Sequence, residues 1–154
     1  MAMKTEDLMM EILEEVHVKA PIGVTFDALL EELRVGVTGE QGRKMSMKLE
    51  AWPGGIWARD LTPELGAGNG HFWAHVQAIK RPTLLEFAGP LFASYPLVSN
   101  VQYRLSEKDG GTLITFRHTA LGFMQEDQRA GVQTGWAWML ERTRRRAEGR
   151  QSAK

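Results

Sequence analysis

The histidines are the first residues whose spacing could support metal chemistry. His71 and His75 lie four residues apart in the segment HFWAHVQAIK. On a helix they would share one face, but the segment is patterned as a strand, where four residues span ~13 Å. That distance is too long for both rings to bind one ion. We therefore predict no metal site and no cofactor.

The same strand carries one aromatic residue on its predicted outer face. Trp73 shares the parity of His71 and His75 and lies opposite the apolar side, which comprises Phe72, Ala74, Val76 and Ala78. An aromatic side chain on the outer face of a sheet favours a contact between two copies of the chain. A homodimer is therefore possible, and an isolated surface tryptophan is the alternative.

An acid–base set is conceivable beside the glycine-rich segment 62–70. Asp60, Glu64 and His71 flank or lie within reach of it, and carboxylates with an imidazole are the usual groups for proton transfer. Nothing in the sequence brings the three together. The chain also has no nucleophile elbow, phosphate-binding glycine loop or HExxH motif. We therefore predict no catalytic residues.

Charge and composition exclude several classes of partner. Lys and Arg together number 19, as do Asp and Glu, so no global field attracts nucleic acid. Arg142, Arg144, Arg145 and Arg146 lie at a helix end that favours cations, and we interpret them as a solvated cluster. No apolar run approaches the ~20 residues needed to insert into a membrane. The absence of cysteine and of signal-peptide features indicates a cytoplasmic protein.

Hydrophobic periodicity predicts an α+β fold. It predicts a first strand at 10–19, a helix through 24–33 and a long amphipathic helix at about 126–148. Between the helices it predicts strands at 45–52, 56–61, 71–80 and 84–89 and a hairpin at 97–121 that turns at EKDGG. Loops are expected at 36–42, 62–70 and 90–96. We predict one domain at 10–148, with tails at 1–9 and 149–154, in which the last helix covers an antiparallel sheet of about seven strands.

This order of elements resembles the helix-grip fold of the START/Bet v 1-like superfamily. Local strings resemble the branch named for the activator of Hsp90 ATPase homology domain: VHVKAPIGVTFDAL, WPGGIW, HFWAHVQAIKRPTLLEF, GGTLITFRHTALGF and GWAWMLERTR. The resemblance covers roughly residues 10–147. It implies a curved sheet that grips the last helix and a cavity between them for an apolar molecule. The superfamily includes lipid carriers, polyketide cyclases and co-chaperone domains, so fold alone does not set the activity.

Strand parity selects the residues that would line such a cavity. If the apolar sides face the last helix, the lining comprises Trp57, Arg59, Phe72, Phe87, Tyr103, Phe116, His118, Trp136 and Met139. Among them Arg59, Tyr103 and His118 could orient a ligand. The alternatives are that His118 bonds a neighbour and completes the core, and that Arg59 pairs with Glu14 or Glu50. Trp138 lies off the apolar stripe, towards the first helix or a partner subunit.

The resulting expectation is a binding module for an apolar or amphipathic small molecule or lipid. Two alternatives remain open. One is a cyclase- or hydrolase-type enzyme that uses His118 with Tyr103 or Arg59. The other is a chaperone-interaction module of the Hsp90-activator type.

Overall fold

The computed structural model describes residues 4–36, 45–60, 68–92 and 94–152. After a 3-10 turn at Thr5–Leu8, the elements are β1 (Met9–Val18), α1 (Ile22–Glu31), β2 (Met47–Leu49), β3 (Ile56–Asp60), β4 (Gly70–Lys80), β5 (Leu84–Gly89), β6 (Leu97–Lys108), β7 (Gly111–Gly122) and α2 (Glu126–Ser152). A π-helical turn at Glu32–Gly36 extends α1. Of the predicted loop at 36–42, only Gly36 is among the described residues. Glu64 lies outside the described residues.

The strands form one antiparallel sheet of seven, in the order β1-β7-β6-β5-β4-β3-β2. Consecutive strands from β2 to β7 are neighbours, and the chain closes the arrangement by pairing β1 with β7. The two-residue turn of the β6–β7 hairpin is Asp109-Gly110, with φ values of 50° and 74°. Positive φ at both positions matches the right-handed twist of a hairpin, which explains the Asp-Gly pair. The predicted α+β fold is confirmed.

Helix α2 covers the concave face of the sheet with one amphipathic stripe. Helical spacing predicts that this stripe comprises Val132, Gly135, Trp136, Met139, Leu140 and Thr143. Val132, Trp136, Leu140 and Thr143 are buried, whereas Gly135 on the same predicted stripe is exposed. The helix runs along β1 from its first turn to its last. The guanidinium of Arg129 donates to the Asp7 carbonyl oxygen near the start, and Glu148 accepts from the Lys19 backbone N–H near the end.

The interpretation of the arginines as a solvated cluster is wrong for two of them. Glu32, at the C-terminus of α1, is 1% exposed. Its two carboxylate oxygens accept from Arg142 Nε at 2.6 Å and Arg146 Nε at 3.0 Å. A buried carboxylate requires such partners, so these arginines join α2 to α1. Arg145 fits the prediction, because its side chain is 75% exposed.

An irregularity in the pairing of β3 with β4 changes which residues of β4 face α2. The pairing with β3 steps from Trp57↔Ala74 to Ala58↔Phe72, which leaves Trp73 as an extra residue. A bulge of this kind reverses the alternation of side chains along a strand. The predicted inward position of Phe72 is therefore wrong, because it is 38% exposed, and the predicted outward position of Trp73 is wrong, because it is 5% exposed.

Arg59 lies outside the buried interior, although strand parity predicted it as a lining residue. Its side chain is exposed, although Trp57 on the same strand is fully buried. The extra residue of the β3–β4 irregularity lies in β4, so Trp57 and Arg59 remain on one face of β3, and Arg59 pairs with His71 near the end of the strand. Among the described residues, no helix is both long and apolar enough to cross a membrane.

Candidate functional site

Two groups of aromatic rings pack on the face of the sheet that α2 covers. In the first, Trp57 stacks on Phe87 with ring centroids 4.9 Å apart and meets the edge of Trp73 at 4.9 Å. Trp57 also donates its indole N–H to the Leu33 carbonyl oxygen at 2.9 Å. That bond satisfies its only polar group, so this end of the site presents hydrocarbon.

The second group is centred on α2. Trp136 lies 4.8 Å from Phe116, which lies 5.0 Å from Tyr103. Phe92, in the connection between β5 and β6, joins the two groups, since its ring is 6.0 Å from Trp136 and 5.5 Å from Trp73. Phe92 is 37% exposed while both of its partners are buried. The aromatic lining therefore reaches the surface at Phe92.

A directed chain of hydrogen bonds lies beneath this point. Trp136 Nε1–H is 2.9 Å from His118 Nδ1, and His118 Nε2 is 2.9 Å from Ser99 Oγ. An indole nitrogen can only donate, so His118 Nδ1 must accept. The neutral imidazole therefore carries its hydrogen on Nε2 and donates it to Ser99. Both ring nitrogens are satisfied by the protein itself.

Burial keeps His118 in this neutral form. Its side chain is 1% exposed, and its partners across the sheet are the apolar Ile12 and Val101. Desolvation lowers the pKa of His118 from 6.5 to about 4. Protonation would also place a hydrogen on Nδ1, so that two donors, Nδ1–H and the Trp136 N–H, would face each other. The alternative reading, that His118 bonds a neighbour and completes the core, is confirmed.

The Ser99–His118 pair resembles a nucleophile and its base only in outline. A base must accept the serine hydrogen on an unprotonated nitrogen. Here the Trp136 N–H donates to Nδ1, which is the unprotonated nitrogen, and Nε2 is therefore the donor towards Ser99. The serine is thus a recipient of the imidazole hydrogen, and the pair is not arranged to generate an alkoxide.

Tyr103 brings a second hydroxyl into the same interior. The residue is 1% exposed, and its hydroxyl makes no hydrogen bond with any other described residue. Desolvation raises the pKa of the phenol well above its usual range. Among the described residues, Arg129 Nε is the fully buried side-chain polar atom without a partner. The Tyr103 hydroxyl therefore retains some accessible surface, and it can donate to a molecule that enters the site.

Most of the predicted lining residues are brought together in the fold. Those that are buried are Trp57, Phe87, Tyr103, Phe116, His118 and Trp136, and Met139 is half-buried against them. Arg59 and Phe72 do not join them. The carboxylates considered as partners for Arg59 have other contacts, since Glu14 accepts from Gln133 and Glu50 lies 3.7 Å from Lys48.

The sequence prediction missed three residues of the site. Ser99 shares the inward parity of Tyr103 on β6, and this parity could have identified it. Trp73 was hidden by the bulge. Phe92 lies in an aperiodic segment, PLFASYP, where no pattern assigns a face.

The histidines of β4 have local partners. Nδ1 of His71 accepts from Trp73 Nε1–H at 3.3 Å, and His75 Nδ1 lies 3.1 Å from the Gly54 carbonyl oxygen. Within the described part of the chain, no group of three or more potential ligands is placed to hold a metal ion.

Several solved structures share this architecture. CalU16 from Micromonospora echinospora has a TM-score of 0.63 and 21% identity, over 93% of this chain and 79% of that one. The di-domain ARO/CYC StfQ from the steffimycin biosynthetic pathway has a TM-score of 0.69 and 15% identity, over 96% of this chain and 53% of that one. Ara h 8.0201 has a TM-score of 0.65 and 13% identity, over 90% and 97%. At these identities the similarity establishes the helix-grip fold alone.

The family assignment comes from the sequence. A comparison with curated proteins found no match. The family model described as activator of Hsp90 ATPase homolog 1-like protein matches residues 19–146. This match spans most of the chain, from the end of β1 into the second half of α2, and agrees with the strings that suggested the branch. The chain belongs to the activator of Hsp90 ATPase homolog 1-like family.

Proposed function

We propose that the protein binds an uncharged, mainly apolar small molecule between its sheet and α2. The observation that carries the proposal is Tyr103, whose hydroxyl makes no hydrogen bond to another described residue and whose ring packs among other aromatic rings of the interior. Binding of an apolar ligand in such an interior is favourable, because the apolar surface of the ligand is removed from water. One or two polar groups then orient the ligand.

The charges of the interior favour a neutral ligand. Among the described buried residues, Glu32 is the one with an ionised side chain, and it is already paired with Arg142 and Arg146. His118 is neutral at physiological pH. An ionised ligand group would lose its hydration without gaining a partner of opposite charge.

The tryptophans provide an internal test of where a ligand binds. Trp57, Trp73 and Trp136 line the interior, whereas Trp52 and Trp138 are 57% and 46% exposed. We would titrate the isotopically labelled protein with methyl naphthyl ketone and follow the indole N–H signals by NMR. Binding inside should shift the three interior signals and leave the two exposed signals unchanged.

Shifts confined to the exposed indoles would contradict the proposal, because the probe would then be bound at the surface. Tyr103→Phe should weaken binding of a naphthol, whose oxygen can accept from the phenol, while retaining the ring contacts. The matched control is Tyr95→Phe, which removes a half-buried phenol outside the interior, in the β5–β6 connection. Native mass spectrometry of protein purified from its own host would show whether a molecule of this kind co-purifies.

The contacts of His118 argue against the enzymatic alternative as first formulated. That alternative needs His118 to transfer a proton with Tyr103 or Arg59. Both nitrogens of His118 are occupied, and Arg59 is exposed while His118 is buried. The chaperone-interaction alternative remains a prediction, to be tested by measuring whether the protein stimulates an Hsp90-type ATPase.

A further inference from the structure

Ser99 is a buried residue of the candidate site whose hydroxyl has no assigned role in ligand binding. It is 6% exposed and lies on the concave side of β6, four residues before Tyr103. Its cross-strand neighbours are Gly89 and Ala120, so neither neighbouring strand places a side chain larger than a methyl group beside it. Its hydroxyl is therefore not covered from within the sheet.

The direction of the hydrogen-bond chain determines what this hydroxyl can do. Trp136 donates to His118, and His118 donates to Ser99 Oγ. Oγ has thus accepted one hydrogen bond, and the serine hydrogen is free to point away from the imidazole. No hydrogen bond from this hydroxyl to another described residue is found. The series of hydrogen bonds from Trp136 to Ser99 therefore ends in a hydroxyl donor that has no acceptor bonded to it among the described residues.

This donor lies close to the place where the aromatic lining reaches the surface. Trp136, the first member of the chain, is in contact with Phe92, which is 37% exposed. Leu91 beside it adopts φ 59° although it is not glycine, and its N–H donates to the Trp73 carbonyl oxygen at 2.7 Å. A molecule that displaced the Phe92 ring would meet Trp136 and the groups bonded to it.

We infer that Ser99 determines which ligands the site accepts, by donating a hydrogen bond to an uncharged oxygen such as a ketone or ester carbonyl. The inference rests on the proposed function and narrows its ligand class. An apolar ring system occupies the aromatic lining, and its carbonyl oxygen receives the hydrogen at the end of the Trp136–His118–Ser99 chain. Accepting from His118 makes the Ser99 hydroxyl a stronger donor, since successive hydrogen bonds polarise one another.

Two probes that differ in one group test this assignment. Methyl naphthyl ketone carries the acceptor, and ethylnaphthalene replaces it with hydrocarbon of similar size. The measured quantity is the ratio of their dissociation constants for each variant, by calorimetry. Ser99→Ala should reduce the preference for the ketone about fivefold, with little change for ethylnaphthalene. Ser99→Thr keeps the hydroxyl and should keep the ratio, as should the control Ser106→Ala, an exposed serine on β6.

A second variant tests the direction of the chain. Trp136→Phe removes the donor that fixes the tautomer of His118, so the imidazole can carry its hydrogen on Nδ1 and accept from Ser99. Part of the ketone preference should then disappear, although Ser99 is intact. A merely structural role for Ser99 would not link its selectivity to the indole N–H. This variant also provides the test if Ser99→Ala does not fold.

The outcomes separate this inference from the function on which it rests. If wild-type protein binds both probes but Ser99→Ala leaves their ratio unchanged, Ser99 is not the recognition group and the binding function survives. An unchanged ratio in Trp136→Phe, with a reduced one in Ser99→Ala, would retain Ser99 and reject the fixed direction of the chain. If neither probe binds wild-type protein, the proposed function fails and the inference fails with it.

Discussion

The neutral His118 makes folding stability depend on pH in a specific window. Its pKa is about 4 in the folded protein and 6.5 in an ordinary environment. As the pH falls through 6.5, the unfolded chain takes up a proton that the folded protein cannot accept until about pH 4. The contribution of His118 is therefore complete above the higher value and lost progressively between the two. Below the lower value no further stability is lost.

The size of the loss follows from the two pKa values. One pKa unit corresponds to about 1.36 kcal/mol. Lowering the pH from about 7.5 to about 4.5 should therefore remove about 2.5 kcal/mol of unfolding free energy through His118 alone. Carboxylates also titrate in this range, so the comparison must be with His118→Gln. Its amide can still donate to Ser99 but has no proton equilibrium.

Urea unfolding followed by tryptophan fluorescence measures the effect at both pH values. His118→Gln should be less stable at neutral pH, yet it should lose about 2.5 kcal/mol less than wild type on acidification. Val101→Ala is the matched control, because it weakens the core opposite His118 without removing a titrating group. Equal losses in wild type and His118→Gln would refute the assignment of a neutral, desolvated imidazole.

Three further predictions address other contacts. Trp136→Phe should cost about 1–2 kcal/mol, because His118 Nδ1 loses its donor, and the tautomer shift should be visible in imidazole nitrogen NMR spectra. Glu32→Gln should cost about 2 kcal/mol by urea unfolding, since a buried carboxylate that holds two arginines is removed, whereas the surface pair control Glu141→Gln should cost less than about 1 kcal/mol. Gly89→Ala should cost about 3 kcal/mol or prevent folding, because a Cβ there would lie 2.5 Å from a carbonyl oxygen of β4; an unchanged thermal midpoint would contradict that geometry.

The sequence predicted the regular parts of the fold because they follow simple periods. The alternation continues without interruption over residues 97–106 of β6 and 112–121 of β7, so Tyr103, Phe116 and His118 were assigned to the correct face. In β4 the alternation is broken by an extra residue at Trp73. A bulge depends on the pairing with a neighbouring strand, and a single strand's pattern does not contain that information. Phe72 and Trp73 were exchanged for this reason.

Charge clusters were misinterpreted for a related reason. The arginines of α2 have the composition of a solvated helix end, and Arg145 behaves in that way. Arg142 and Arg146 instead meet Glu32, more than one hundred residues away in the chain. The pairing arises only when α1 and α2 pack against each other. Local composition could not distinguish an arginine that anchors two helices from one that is hydrated.

Trp136 links stability and recognition in this protein. Its rings close the sheet against α2, and its N–H fixes the tautomer that leaves the Ser99 hydrogen available. A substitution at this residue changes both properties, so a loss of binding alone would not identify the cause. The ratio of ketone to hydrocarbon affinity separates them, because a loosened core weakens both probes whereas a reversed imidazole weakens only the ketone. For the same reason Ser99, which contributes one hydroxyl and little packing, is the more informative position to alter first.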